Sequence, residues 1–116
     1  IEITLHLHNT RGLGIANAVS GIMAWIRPLD ASSGGLGGCP YAPGATGNVC
    51  TEDLVHALIF DGYRCEVDLE QLLSVSHELG DLLSDPLPGL VRYAGSKLTK
   101  HPMSEDLRRR LGLIEE

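Results

Sequence analysis

The sequence predicts an α/β fold with parallel strands, and three observations carry that prediction. Ile1, Ile3, Leu5 and Leu7 alternate with Glu2, Thr4, His6 and His8, the period-two pattern of a strand with two different faces. Ile15, Ala18, Val19, Ile22 and Met23 then recur at helical spacing,. A second short apolar stretch, residues 26–32, leads into a glycine-rich loop and a further helix. Strand, helix, strand, loop, helix is the order of a parallel sheet, where active groups collect at the carboxyl ends of the strands.

The elements follow in order. Residues 1–8 form the first strand, and residues two apart place His6 and His8 on one face,. After the turn-like residues 9–12, a helix covers about residues 13–25. The second strand, residues 26–32, contains Pro28, which removes a ladder donor and makes that strand irregular or late in starting,. Thr51 is placed to cap a helix over residues 52–60, with Glu52 and Asp53 in the first turn, where the helix dipole favours acids,. Asp61-Gly62 ends it. Asp68 caps the next helix, with Leu69, Leu72, Leu73, Val75 and Leu79 on one side and Gln71 placed for a capping box,. That helix stops at Gly80 or at Asp85-Pro86. Residues 87–102 show no regular period, and Ser104 caps a last short helix through Leu111.

Composition narrows the function. At 116 residues, 43% hydrophobic and 21% charged, the chain is of globular type and makes at most one domain,. A net charge of −6 argues against a nucleic-acid partner, which demands clustered Lys and Arg,. The one basic run, Arg108-Arg109-Arg110, reads as the solvated face of a short helix. The apolar runs are too short to cross a bilayer, and the chain opens on a strand pattern and not on a cleavable signal,. Three cysteines without paired spacing suit reduced thiols in a bacterial cytoplasm or a mitochondrial matrix, not a secreted protein,. The opening on Ile1, already inside a periodic segment, suggests a piece of something longer.

The chemistry gathers at two places. Residues 34–48 hold six of the fourteen glycines and one thiol, Cys39. A segment this poor in side chains has nothing to bury, so it reads as a mobile, functional loop. Gly37-Gly38 before Cys39 and Pro40 after it offer no apolar pocket for the thiol, whereas Cys50 and Cys65 read as packing residues,. His6 and His8, roughly 6.6 Å apart at Cα, are close enough for two imidazoles to meet one ion. The amide oxygen of Asn48 would turn the preference toward Mg²⁺ or Mn²⁺. The bland alternative is two polar residues on a half-exposed strand. Asp30 reads as a residue that orients the loop, and His56, His77 and His101 as surface or helix-packing residues. Phosphate-loop and dinucleotide fingerprints do not occur.

With these residues in view, a resemblance can be stated. His6-Leu7-His8-Asn9-Thr10, Asp30-Ala31-Ser32, Gly35-Leu36-Gly37-Gly38-Cys39-Pro40-Tyr41-Ala42, Gly44-Ala45-Thr46-Gly47-Asn48 and Thr51-Glu52-Asp53-Leu54-Val55 resemble the hydroxymethylglutaryl-CoA lyase family from residue 1 to about residue 73. The resemblance implies the carboxyl-terminal part of a (β/α)₈ TIM barrel, a fold that needs roughly 250 residues. Residues 1–83 would be its seventh and eighth βα units, and residues 84–116 an irregular segment with a short helix. It implies His6, His8 and Asn48 as ligands of a divalent cation, Mg²⁺ or Mn²⁺, together with an aspartate from the first strand that this chain lacks. Cys39 would deliver a proton, Glu52 would support the site, and the substrate would be an acyl-CoA split to acetyl-CoA and acetoacetate.

The resemblance further implies a homodimeric parent enzyme, without nucleic acid or membrane partners. The chain alone, with its sheet neighbours missing, is expected to be inactive. Asn9, the segment Trp25-Ile26-Arg27-Pro28 where a glycine usually ends the helix, and Glu66 depart from the family pattern. These departures keep open another branched 3-hydroxyacyl-CoA, or a related synthase or aldolase. A reading of another class is a small noncatalytic module in which His6, His8 and Cys39 hold structural zinc. It lacks a compact fourth N or S ligand.

Overall fold

The computed structural model describes residues 1–97 and 103–114. Its helices are α1 (Gly14–Met23), α2 (Thr51–Phe60), α3 (Leu69–Leu82), α4 (Val91–Ala94) and α5 (Glu105–Arg110), with a 3₁₀ turn at Ser33–Gly35. The strands expected over residues 1–8 and 26–32 are not formed as strands; among the described residues the extended segments meet only at isolated bridges.

The bridges explain why. Leu5 pairs in parallel with Leu29, with Leu5 N–H donating to Pro28 O and Asp30 N–H to Leu5 O, each at 3.1 Å. The parallel sense is therefore the one that the element order predicts. Beyond this point each segment turns to a different partner, the return leg of the glycine-rich loop. Val49 N–H donates to Leu7 O (2.9 Å) and Asn9 N–H to Gly47 O (3.2 Å), while Ser32 N–H donates to Val49 O and Thr51 N–H to Ser32 O, both at 3.0 Å. Bonds divided this way never accumulate into a ladder, Pro28 supplies no donor, and Ile1 and Ile3 lie exposed with no layer to pack on,.

Helix α2 lies at the centre of the packing. Leu54 and Leu58 join Ala18, Val49, Leu7 and Leu29 on one side, and Val55 and Ile59 join Leu69, Leu73 and Val91 on the other. Its N-cap is Cys50, whose side chain makes no capping bond, and not Thr51 as the sequence predicts. Asp68 does cap α3, accepting from Gln71 N–H at 3.1 Å. The buried positions of α3 are Leu69, Leu73 and Ser76. Val75, expected on the apolar side, lies 55% exposed because it falls off that stripe. The helix runs two residues past Gly80, which serves another purpose described below.

Residues 84–97 pack against α2 and α3. Asp53 accepts from the backbone N–H groups of Leu90 (3.0 Å) and Val91 (2.7 Å) at the start of α4, a helix without periodic signal in the sequence. His56 Nε2 accepts from Lys97 N–H at 3.0 Å, and His77 Nε2 donates to Arg92 O at 2.7 Å. His101 lies outside the described residues. Ser104 caps α5, and Arg109 and Arg110 pair with Glu105 and Asp106 on an exposed helix.

Helix α1 ends in a motif that normally uses glycine. Ile26 N–H donates to Gly21 O and Trp25 N–H to Ile22 O, both at 2.9 Å, which puts Trp25 in the left-handed region at φ 63°,. A non-glycine residue there costs about 1–2 kcal/mol. Trp25 is 84% exposed, so it recovers little by packing. Trp25→Gly removes the strain at some cost in unfolded-chain entropy, and stability is expected to rise by about 0.5–1 kcal/mol. The measurement is a urea unfolding midpoint, which should increase at constant slope; a lowered midpoint would show that the tryptophan is not strained.

Candidate functional site

The glycine-rich loop is closed at its base and free at its tip. Gly34 and Gly35 take φ of 66° and 73° in the turn that opens it, and Gly37 takes 105°. A Cβ on Gly47 would fall 1.8 Å from Gly35 O and 2.7 Å from Gly37 O, so the two legs touch backbone to backbone and only glycine fits. Asn48 Nδ2 donates across the legs to Leu36 O at 2.9 Å. Beyond the base, residues 38–44 are exposed and hold themselves by two successive turns, Ala42 N–H to Cys39 O and Ala45 N–H to Ala42 O. Cys39 is an exposed free thiol at the start of this tip.

His6 and His8 meet edge to face with their centroids 5.2 Å apart. Each has committed Nδ1 to an oxygen: His6 donates to Asp30 Oδ1 at 2.6 Å and His8 to Thr46 O at 3.3 Å. Both acceptors offer only lone pairs, so the proton sits on Nδ1 and the Nε2 lone pair is left as a ligand, the usual preparation of a metal-binding imidazole. Asp30, expected to orient the loop, therefore orients His6. The bridge between His8 and Asn48 brings the asparagine beside the pair. Its Oδ1 is buried without a hydrogen-bond partner, an arrangement that costs about 1–3 kcal/mol unless something occupies it,.

Two imidazole nitrogens and an orphaned amide oxygen fit part of the shell of a divalent cation. Among the described residues no three His, Cys, Asp or Glu side chains converge on one point. This leaves the structural-zinc reading of His6, His8 and Cys39 without a closed set.

Glu52 faces inward, beneath the loop. It is completely buried, and both carboxylate oxygens lie 3.0 Å from Gly34 N, whose N–H they share. Cys50 Sγ donates to Oε2 at 2.9 Å. Burial by itself pushes the Glu52 carboxyl up, but the bonds from Cys50, Ser76 and the backbone N–H groups of Glu52 and Gly34 outweigh it and hold the group below its ordinary value,. Burial, reinforced by the Glu52 carboxylate, pushes the Cys50 thiol up to about 12, so it stays protonated and inert,.

A cavity of about 410 Å³ lies between the loop base and residues 83–88, with Leu36, Gly37, Thr46, Asp85, Leu87 and Pro88 on its walls. Sequence reasoning did not reach this wall, nor Ser76 and Arg92 beneath the loop. A serine on the otherwise apolar stripe of α3 was the one signal available.

The family model described as HMGL-like matches residues 1–79. An (R)-citramalyl-CoA lyase of Chloroflexus aurantiacus is 48% identical over 95 residues, which cover 82% of this chain and 30% of that protein. The hydroxymethylglutaryl-CoA lyase YngG of Bacillus subtilis is 46% identical over 75% of this chain and 29% of its own length. Among solved structures, an HMG-CoA lyase from Acenitobacter baumannii, in complex with coenzyme A and 3-methylmalate, superposes with a TM-score of 0.81 at 46% identity, covering 87% of this chain and 33% of that one. The chain thus spans about a third of the length of the proteins it matches, and the fold family is that of a TIM barrel. The loop, the paired imidazoles and Asn48 all fall inside the matched residues, and the chain belongs to the HMGL-like, hydroxymethylglutaryl-CoA lyase family.

Proposed function

We propose that this chain carries the metal-ligand and proton-donor parts of a carbon–carbon lyase that splits 3-hydroxy-3-methylglutaryl-CoA into acetyl-CoA and acetoacetate. In this reading it contributes the seventh and eighth βα units of a (β/α)₈ barrel, in a parent enzyme that is a homodimer. The observation that carries the reading is the orphaned Asn48 Oδ1 beside two imidazoles whose Nε2 atoms are free, under a loop that presents a thiol. His6, His8 and Asn48 would hold Mg²⁺ or Mn²⁺, which when bound supplies Lewis-acid polarisation and a template for the substrate's tertiary hydroxyl and carboxylate oxygens.

The chain's own residues do the rest. Loss of the hydroxyl proton lets the bond between C2 and C3 break, giving acetoacetate and the enolate of acetyl-CoA. Cys39 donates its S–H proton to the enolate carbon, as an acid and not as an acylated nucleophile. The loop tip that bears Cys39 closes over the substrate and excludes water. Asp30 fixes the His6 ring, and Glu52 supports the site from below by holding Gly34. The cavity against residues 83–88 offers mostly apolar walls to the acyl-CoA arm.

The 48% identity to an (R)-citramalyl-CoA lyase favours a second substrate of the same chemistry, another thioester with a tertiary hydroxyl and an adjacent carboxylate. Turnover of the intact enzyme with each thioester decides between them.

Two outcomes test the site. Cys39→Ala should lower kcat by about 10²–10⁴-fold with metal content unchanged; equal turnover would remove the thiol from the reaction. A chelator should abolish turnover and Mn²⁺ restore it, and Asp30→Asn should weaken Mn²⁺ binding by about 10–100-fold through loss of the bond that orients His6. Titration of Mn²⁺ by electron paramagnetic resonance measures this directly, and an unaltered affinity would dissociate Asp30 from the ligand set.

A further inference from the structure

A buried polar chain that the mechanism does not use runs from the carboxyl-terminal side of the molecule to the loop. Arg92 in α4 is 9% exposed. Its Nε donates to Ser76 Oγ (3.2 Å), its Nη2 to Ser76 O (3.1 Å) and its Nη1 to Tyr93 Oη (2.9 Å), and the Tyr93 ring lies 4.8 Å from the guanidinium carbon. Gly80 makes the room: a Cβ there would sit 2.1 Å from Arg92 Nη2. Among the described residues no carboxylate pairs directly with this guanidinium.

Ser76 resolves the imbalance. It is completely buried on α3, and its hydroxyl is bonded both to Arg92 and to the Glu52 carboxylate. Arg92 can only donate and an ionised carboxylate can only accept, so the hydroxyl accepts from one and donates to the other. The result is a one-way chain from Arg92 through Ser76 and Glu52 to Gly34 N–H, linking a buried cation to a buried anion through a single hydroxyl,.

We propose that Arg92 is a positioning residue for the glycine-rich loop: through Ser76 it fixes the Glu52 carboxylate on Gly34 N–H and so sets the left-handed turn from which the segment bearing Cys39 departs. Its effect on turnover rests on the lyase reading above, whereas the grip on Gly34 does not.

The test uses Ser76→Ala and Arg92→Met in the intact protein, with amide hydrogen exchange and steady-state kinetics measured together. Exchange at Gly34 should accelerate by about tenfold or more while Val55 in α2 keeps its protection. The kcat should fall by about tenfold with KM for the acyl-CoA changed by less than about twofold, because a displaced loop costs the chemical step and not substrate binding. The double variant should be no worse than either single one, as expected for members of one chain. Unchanged exchange at Gly34 in both single variants overturns the proposal. Loss of Val55 protection alongside Gly34 also overturns it, since Arg92 would then hold the fold and not the loop. If Gly34 responds as expected but the unaltered protein cleaves neither thioester, the lyase reading fails and the positioning role stands.

Discussion

A fully buried carboxylate must be satisfied on every side, and Glu52 draws its partners from four separate parts of the chain. Gly34 comes from the turn that opens the loop, Cys50 from the approach to α2, Ser76 from α3, and its own backbone N–H from the first turn of α2. Removing such a group's partners one at a time leaves charge stranded in an apolar surrounding, which is far more costly than any single bond is worth. The loop base, the centre of α2 and the packing of α3 are consequently one cooperative unit. The two hydrophobic clusters on either side of α2 enclose it.

The extended segments depend on the same unit. They do not build a sheet of their own; the return leg of the loop, residues 47–50, joins the first segment to the second by taking bonds from both. Asn48 lies on that leg, so its place beside His8 follows from backbone pairing and not from its side chain. The side chain is thereby released, with its nitrogen tied to Leu36 and its oxygen unspent. A ligand atom carried on a hydrogen-bonded leg is held more firmly than one on a free loop.

Much of this was legible where the signal is local. The caps at Asp68 and Ser104 and the periods of α1, α2 and α3 are decided within a few residues, and the period of two brought His6 and His8 together. The strands were over-read because alternation reports which faces are apolar and says nothing of how many neighbours each segment finds. Helix α4 was invisible, since four residues have no period and its start is held by Asp53, 37 residues away from Leu90. Glu52 read locally as a first-turn acid. Its real partners lie 18 and 24 positions along the chain, at Gly34 and Ser76, and no spacing rule reaches them.

The contact of Gly47 with Gly35 and Gly37 divides the loop into parts of unequal freedom. The seam permits no side chain, so the ends of the loop stay a fixed distance apart however the tip is built. Between them residues 38–44 close a ring whose entropy changes slowly with length, about 0.6 kcal/mol for each doubling,. Residues could be added to or removed from that tip, altering how far and in what direction Cys39 extends, while His6, His8 and Asn48 remain undisturbed. The reach of the thiol and the geometry of the metal ligands are thus separately adjustable, which would let one scaffold be refitted to acyl groups of different size.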